Sequence, residues 1–257
     1  MIPHNTEICV LRDALTLTQA AAKQVVQHAA SAVNSRGKFT VALAGGSSEK
    51  SLYTMLASTK FCSRLEWGRI EFYWGDERHV APDHDESNYR MAYEAMLRPL
   101  KIPDVQIHRM EGELPSPQEA ASRYESLLRN QLGNSKSPIP QLDLVILGMG
   151  LDGHTASLFP GTEAVHETTK LVVAPWVEKF QAFRITMSPG LINNARQVIF
   201  LVSGMEKADV VRAVLEGPFQ PNEQPSQVIN PISGQLTWLI DQKAANALSS
   251  RKLRYIE

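Results

Sequence analysis

The chain has 257 residues, 43% of them hydrophobic and 21% charged, with 15 Gly and 15 Pro, a composition that excludes disorder as the main state and any fibrous or low-complexity class. Lys+Arg 26 against Asp+Glu 27 leave a formal net charge of -1, so there is no basic field of the kind that binds nucleic acid or an anionic membrane. Cys9 and Cys62 lie far apart without a C-x-x-C pair, which excludes a disulfide framework and a zinc ribbon and fits reduced thiols.

The opening MIPHNTEICVLRD lacks the basic stretch and apolar run of a signal peptide, and no segment approaches about 18 consecutive apolar residues, so a cytoplasmic protein without a membrane span is expected. Residues 17–33 then place Ala21, Val25, Ala29 and Val33 four apart on one face of a predicted helix. Short runs rich in β-branched and aromatic residues predict strands at 39–44, 70–74, 142–147, 171–174, 183–187 and 198–202. Further amphipathic helices are predicted at 88–97, 117–132 and 205–215, the second opening with Ser116 as cap and Pro117 in the first turn. The stretches 133–141 and 217–225 are short and polar, as surface loops are, so 1–257 reads as one domain. Runs as apolar as 142–147 need cover on both faces, which predicts a mostly parallel α/β sheet with helices on each side. Ligands of such sheets bind beyond the strands' carboxyl ends.

Three loops fall at those ends. Gly45-Gly46-Ser47-Ser48 leads from a strand into a helix starting near Glu49. Two glycines admit a ligand close to the backbone, and the helix start offers free N–H groups to a phosphate. The sequence is equally compatible with a tight turn capped by a serine. Gly75-Asp76-Glu77-Arg78 reads as a loop after the 70–74 strand, where Arg78 could pair with an anion and the acids could be chemical or structural. His79, Asp83, His84 and Asp85 follow without metal-ligand spacing, so no metal is expected. Gly148-Met149-Gly150-Leu151-Asp152-Gly153-His154 satisfies G-x-G-x-x-G, but Pro160 and Gly161 leave 155–159 too short for a crossover helix. What remains is a glycine loop presenting Asp152 and His154 together, the material of a general base.

Arg184, inside an apolar strand run, needs an anion or water, and Lys207 at a helix start opposes the helix dipole unless a ligand is anionic. With the Gly45–Ser48 loop they could form a phosphate site. No G-x-S-x-G, H-E-x-x-H or Walker pattern is present, so covalent serine catalysis has no support.

Taken together, AGGSS at 44–48, GDER at 75–78, ESNYRMA at 86–92, GMGLDGHTASLFPG at 148–161, RITMS at 184–188 and SGMEKA at 203–208 resemble, in order and across nearly the whole chain, the glucosamine-6-phosphate isomerase/6-phosphogluconolactonase family on its lactonase side. The resemblance implies a NagB-like modified Rossmann fold and cofactor-free hydrolysis of a sugar-phosphate lactone. It implies His154 as the base, Asp152 as its orienting partner, Arg78 and loop N–H groups at the oxyanion with Asp76 beside them, and Gly45, Gly46, Ser47, Gly150, Gly153, Arg184 and Lys207 around the substrate and its phosphate. The deaminases of the same family carry D-E-Y where this chain has Asp76-Glu77-Arg78, and a glutamate where it has Phe159. A non-catalytic sugar-phosphate sensor is the reading from another class. A monomer or small homo-oligomer is the expected assembly.

Overall fold

The computed structural model describes residues 5–133, 139–249 and 253–256; positions 134–138 of the predicted loop 133–141 lie outside the described residues. Seven parallel strands form the main sheet: β1 (Thr6–Leu11), β2 (Phe39–Leu43), β3 (Ile70–Trp74), β5 (Leu144–Leu147), β9 (Gln197–Val202), β10 (Gln235–Asp241) and β11 (Arg254–Ile256), in the order β11-β1-β10-β9-β5-β2-β3. Every residue of β2, β5 and β9 is buried, as strands covered on both faces must be. A smaller antiparallel sheet joins β4 (Asp76–Arg78), β8 (Ala182–Met187) and β6 (Val172–Val173), with β7 (Trp176–Val177) also paired to β8.

The first helix, α1 (Ala14–Arg36), starts in a capping box: Asp13 accepts from the Thr16 N–H while the Thr16 hydroxyl accepts from the Asp13 N–H. It ends at Gly37, whose φ of +78° is the left-handed turn that favours glycine. α2 (Ser47–Leu56) packs on α1, and α4 (Pro117–Leu132) packs against β6 and β8. α4 has the predicted bounds, with the Ser116 hydroxyl accepting from the Glu119 N–H at 3.2 Å. The predicted helix 88–97 divides into α3 (Asn88–Ala92) and a π-helical turn at Tyr93–Leu97. α5 (Pro189–Ile192) is a single turn, and the predicted 205–215 is a 3₁₀ turn at Met205–Lys207 leading into α6 (Ala208–Glu216).

From β2 the chain crosses through α2 to β3 at one side, whereas from β5 it proceeds to β9 on the other. The order therefore reverses between β2 and β5, and a crevice opens beyond their carboxyl ends. Across the sheet, Phe200 of β9 and Trp238 of β10 are register partners whose rings stack 3.8 Å apart. No described helix is long and apolar enough to cross a membrane.

Candidate active site

The crevice holds a cavity of about 370 Å³ lined by residues from five segments, among them Gly46, Arg78, His154, Arg184 and Lys207. A larger hollow of about 800 Å³ lies beside it, over Pro160–Ala164 and Val172–Lys179, and shares only Phe159 with the lining of the smaller cavity. The smaller cavity is the one at the topological switch, and it collects His154, Arg78, Arg184 and Lys207.

After β2, the α2 residue Tyr53 pins the strand end: its hydroxyl accepts from the Ala44 N–H and donates to the Ala44 carbonyl, both at 2.9 Å. Gly46, at a φ of +133°, is the N-cap of α2 and supplies no side-chain cap. The serine-cap alternative is thereby settled against: Ser47 and Ser48 are the first helical residues, and Gly46 has no side chain to cap the first turn. A Cβ at Gly45 would fall 1.9 Å from Asn88 Oδ1, so the loop can sit against α3 only as glycine.

The segment 75–78, predicted as a loop, contains a buried strand. β4 is so short, and so charged, that strand patterning misses it; pairing with β8 and burial of its acids hold it in place. Glu77 accepts from the N–H groups of Arg78, Asn88 and Tyr89 and from the Ser87 hydroxyl at 2.7–3.0 Å. Burial raises its proton affinity and the three N–H groups oppose that. Its work is to anchor the start of α3. Asp76 lines the cavity, but one oxygen takes the Ser157 hydroxyl at 2.7 Å and the other the Asn88 amide at 3.3 Å, so it ties three loops together.

Arg78 and Arg184 are direct cross-strand partners, both lining the cavity, and neither has a carboxylate within ion-pair distance among the described residues. Arg78 donates to the Glu86 carbonyl, and the Arg184 guanidinium lies 5.1 Å from the Phe180 ring centre. Burial, then the like charge of Arg78, lowers the proton affinity of Arg184. Arg184 is buried and Arg78 half-buried, with Asp76, Glu77 and Glu86 near enough to act on Arg184 by charge but none in a direct ion pair with it.

Beyond β5 the chain turns back on itself. The Gly150 N–H donates to the His154 carbonyl at 2.8 Å, the Thr155 hydroxyl to the Gly148 carbonyl at 2.8 Å, and Ser226 donates through N–H and hydroxyl to the Gly153 carbonyl. The run 155–159, too short for a crossover helix, forms none: Thr155 and Leu158 bridge, with Ala156 at a φ of +46°. Gly153, at +73°, reverses the chain so that His154 Nδ1 meets Asp152 Oδ1. A Cβ at Gly150 would fall 2.0 Å from His154 Nδ1, so the imidazole occupies the space that glycine leaves. The carboxylate at Nδ1 favours the tautomer with the proton on that nitrogen, which in a neutral ring leaves the lone pair on Nε2, and no described residue bonds Nε2. Burial raises the Asp152 carboxyl's proton affinity, but His154 and the Lys179 ammonium, 2.9 Å away, outweigh it and hold the group well below the usual carboxylate range. The imidazole stacks on Phe159 with ring centres 4.1 Å apart.

Lys207 is the N-cap of α6, and its ammonium donates to the Met149 carbonyl at 2.7 Å. Burial lowers its proton affinity. Asp241, the last residue of β10, accepts from the Ser203 hydroxyl at 2.6 Å and from the Gly204 N–H at 3.2 Å, fixing the turn that delivers Lys207.

All eleven sequence-predicted site residues thus belong to one region. Nine line this cavity; of the other two, both in the loop after β5, Asp152 sits behind His154 and Gly153 acts through its backbone turn. Sequence reasoning missed Glu49, Asn88, Ser157, Lys179 and Asp241. Lys179 and Ser157 had no local signal, whereas Asp241 closes the run QLTWLID, whose Thr, Trp, Leu and Ile mark a strand. The cluster after Arg78 is spent on protein groups: His79 bonds the Leu114 carbonyl at 2.7 Å and His84 accepts from the Glu86 N–H at 3.2 Å. Among the described residues, no three His, Cys, Asp or Glu side chains converge as a metal site would require.

Residues 12–238 match the family described as glucosamine-6-phosphate isomerases/6-phosphogluconolactonase. A 6-phosphogluconolactonase of Synechocystis sp. is 37% identical over 242 residues, 94% of this chain and 98% of that protein. The solved 6-phosphogluconolactonase of Trypanosoma brucei superposes with a TM-score of 0.83 at 30% identity, covering 95% of this chain and 99% of that one. A monomeric glucosamine-6-phosphate deaminase shares the fold at a TM-score of 0.78 and 21% identity, over 95% of this chain and 100% of that one. With the match spanning nearly every element that builds the cavity, the chain belongs to the glucosamine-6-phosphate isomerase/6-phosphogluconolactonase family.

Proposed function

We propose that the chain hydrolyses 6-phospho-D-glucono-1,5-lactone to 6-phosphogluconate, a step of the pentose phosphate pathway, in the cytoplasm. The observation that carries the reading is a His–carboxylate pair at one cavity with two guanidinium groups that form no direct ion pair, and with a helix start and a lysine beside it. Free thiols suit a reducing compartment: Cys9 is buried, and burial and Glu7 push it up to about 12.

In this mechanism His154 Nε2 takes a proton from water as its oxygen bonds to the lactone carbonyl carbon. Asp152, kept ionised by His154 and Lys179, orients the ring and stabilises the imidazolium. Arg78 and N–H groups of the glycine loop meet the tetrahedral oxyanion. When that intermediate collapses, the bond from carbon to ring oxygen breaks and the imidazolium returns its proton to the departing oxygen, which leaves an open-chain acid. Gly45, Gly46 and Ser47 at the α2 start, with Arg184 and Lys207, hold the phosphate. Gly150 and Gly153 shape the loop around the base.

Amine chemistry on the same scaffold needs a second carboxylate against the histidine. Phe159 occupies that side of the imidazole here, which supports ester hydrolysis over deamination. The test compares acid release from freshly generated 6-phosphogluconolactone with ammonia release from glucosamine 6-phosphate. Acceleration of the first alone is expected; turnover of the second alone, or of neither, overturns the reading.

A further inference from the structure

Glu49 is a cavity-lining group to which the hydrolytic mechanism gives no task. It is the third residue of α2 and is 2% exposed, its carboxyl wedged between the loops after β2 and β5. A Cβ at Gly46 would lie 2.2 Å from Glu49 Oε2, and one at Gly148 would lie 2.8 Å from Oε1, so both loops give way to it with glycine. Oε1 is buried and has no hydrogen-bond partner. The charged and titratable groups facing it are Asp76 from β4, Lys207 from the turn after β9, and Tyr53 one helical turn along α2.

A buried carboxylate with one oxygen unpartnered is costly, and the partial charge of a helix start with a lysine is enough to draw a phosphate to the same wall. An ionised Glu49 would repel that phosphate. A protonated one removes the repulsion and supplies a hydrogen-bond donor, the one hydrogen-bonding role open to an acid beside an anion. We propose that Glu49 is a proton-carrying wall of the phosphate seat, donating its hydrogen to the ligand's phosphate, so that a sugar phosphate binds together with that proton. The proposal rests on the reading of the α2 start and Lys207 as the phosphate seat. Burial, opposed first by a hydrogen bond from its own backbone N–H and then by Lys207, and reinforced by the charge of Asp76, pushes Glu49 up to about 8, so at neutral pH the proton is in place. A bound phosphate, itself negative, draws the proton more tightly still.

Consequently, affinity should fall as pH rises through the value for free Glu49, by up to tenfold per pH unit until the bound form also ionises. The probe is 6-phosphogluconate, titrated calorimetrically into the full chain at about pH 7.5 and about pH 9.5, where a phosphate monoester stays dianionic. In the native protein the Kd rises about tenfold over that range, and in Glu49→Gln, which keeps a neutral donor at both pH values, it rises less than twofold. Equal losses in both proteins assign the effect to another group such as Lys207 and overturn the proposal while leaving the phosphate seat intact. A flat native profile overturns it as well. No binding by either protein at either pH would overturn the functional reading together with it. A measurement on native protein alone serves should the variant fail to fold: at about pH 8.5, titrations in buffers of different ionisation enthalpy should show uptake of more than roughly half a proton, and zero uptake refutes the role.

Discussion

A single glycine decides whether the imidazole of His154 can stand against Asp152. Because a Cβ at Gly150 would fall 2.0 Å from Nδ1 and 2.6 Å from Asp152 Oδ1, Gly150→Ala should displace the ring and lower kcat by about two orders of magnitude. A steady-state assay with an unchanged melting curve checks this. Lys207→Ala removes an ammonium that, among the described residues, only the Met149 carbonyl accepts a hydrogen bond from; it should raise KM for the phosphorylated lactone about tenfold or more and leave an unphosphorylated lactone nearly unaffected. Equal effects on the two substrates would place Lys207 away from the phosphate. Glu49 also governs stability with a definite sign. Folding lifts its carboxyl from 4.5 to about 8, so its contribution is fully present below about pH 4.5 and is lost as pH rises towards 8. At pH 7 the native state holds a proton that the unfolded chain releases, at a cost on the order of 3 kcal/mol. Glu49→Gln should therefore raise the melting temperature at pH 7 and above and leave it unchanged near pH 4, which thermal melts across pH would read directly.

At the level of elements, legibility in the sequence followed length and patterning. α4 shows its face, cap and N-terminal proline within one continuous stretch, and its predicted bounds match. The glycine-loop motif at 148–154 was equally clear, since glycines beside an acid and a histidine announce a backbone turn carrying polar side chains. β4 was hidden because its three residues Asp76, Glu77 and Arg78 are all charged; only pairing with β8 and the N–H groups of α3 make that strand tenable, and both come from distant sequence. Lys179 reaches Asp152 from a turn between β7 and β8 whose strands are too short to carry a period. β1 and β10 had adequate local signals and were overlooked. With β10 went Asp241, whose carboxylate holds the turn before Lys207. Asp241→Ala should loosen that turn and raise KM for phosphorylated substrate several-fold with a smaller change in kcat, a split that a mere loss of stability would not produce.

Across the whole molecule, the seven-stranded sheet acts as a rigid mount for loops that carry the chemistry. Its reversal of order between β2 and β5 brings together segments more than a hundred residues apart, which is why one cavity gathers residues from Gly45 to Lys207. The mount has its own energetics: Trp238 is 2% exposed and stacked on Phe200, so Trp238→Ala should cost about 3–5 kcal/mol and lower the melting temperature, with the surviving folded fraction retaining its substrate preference. The most direct measurement on the molecule as a whole is the initial rate of acid release from freshly generated 6-phosphogluconolactone, above spontaneous hydrolysis, for the native chain and His154→Ala. A fall of about two orders of magnitude or more, with the fold intact, is expected if Nε2 takes the proton from water; a His154→Ala protein as fast as the native chain contradicts that assignment.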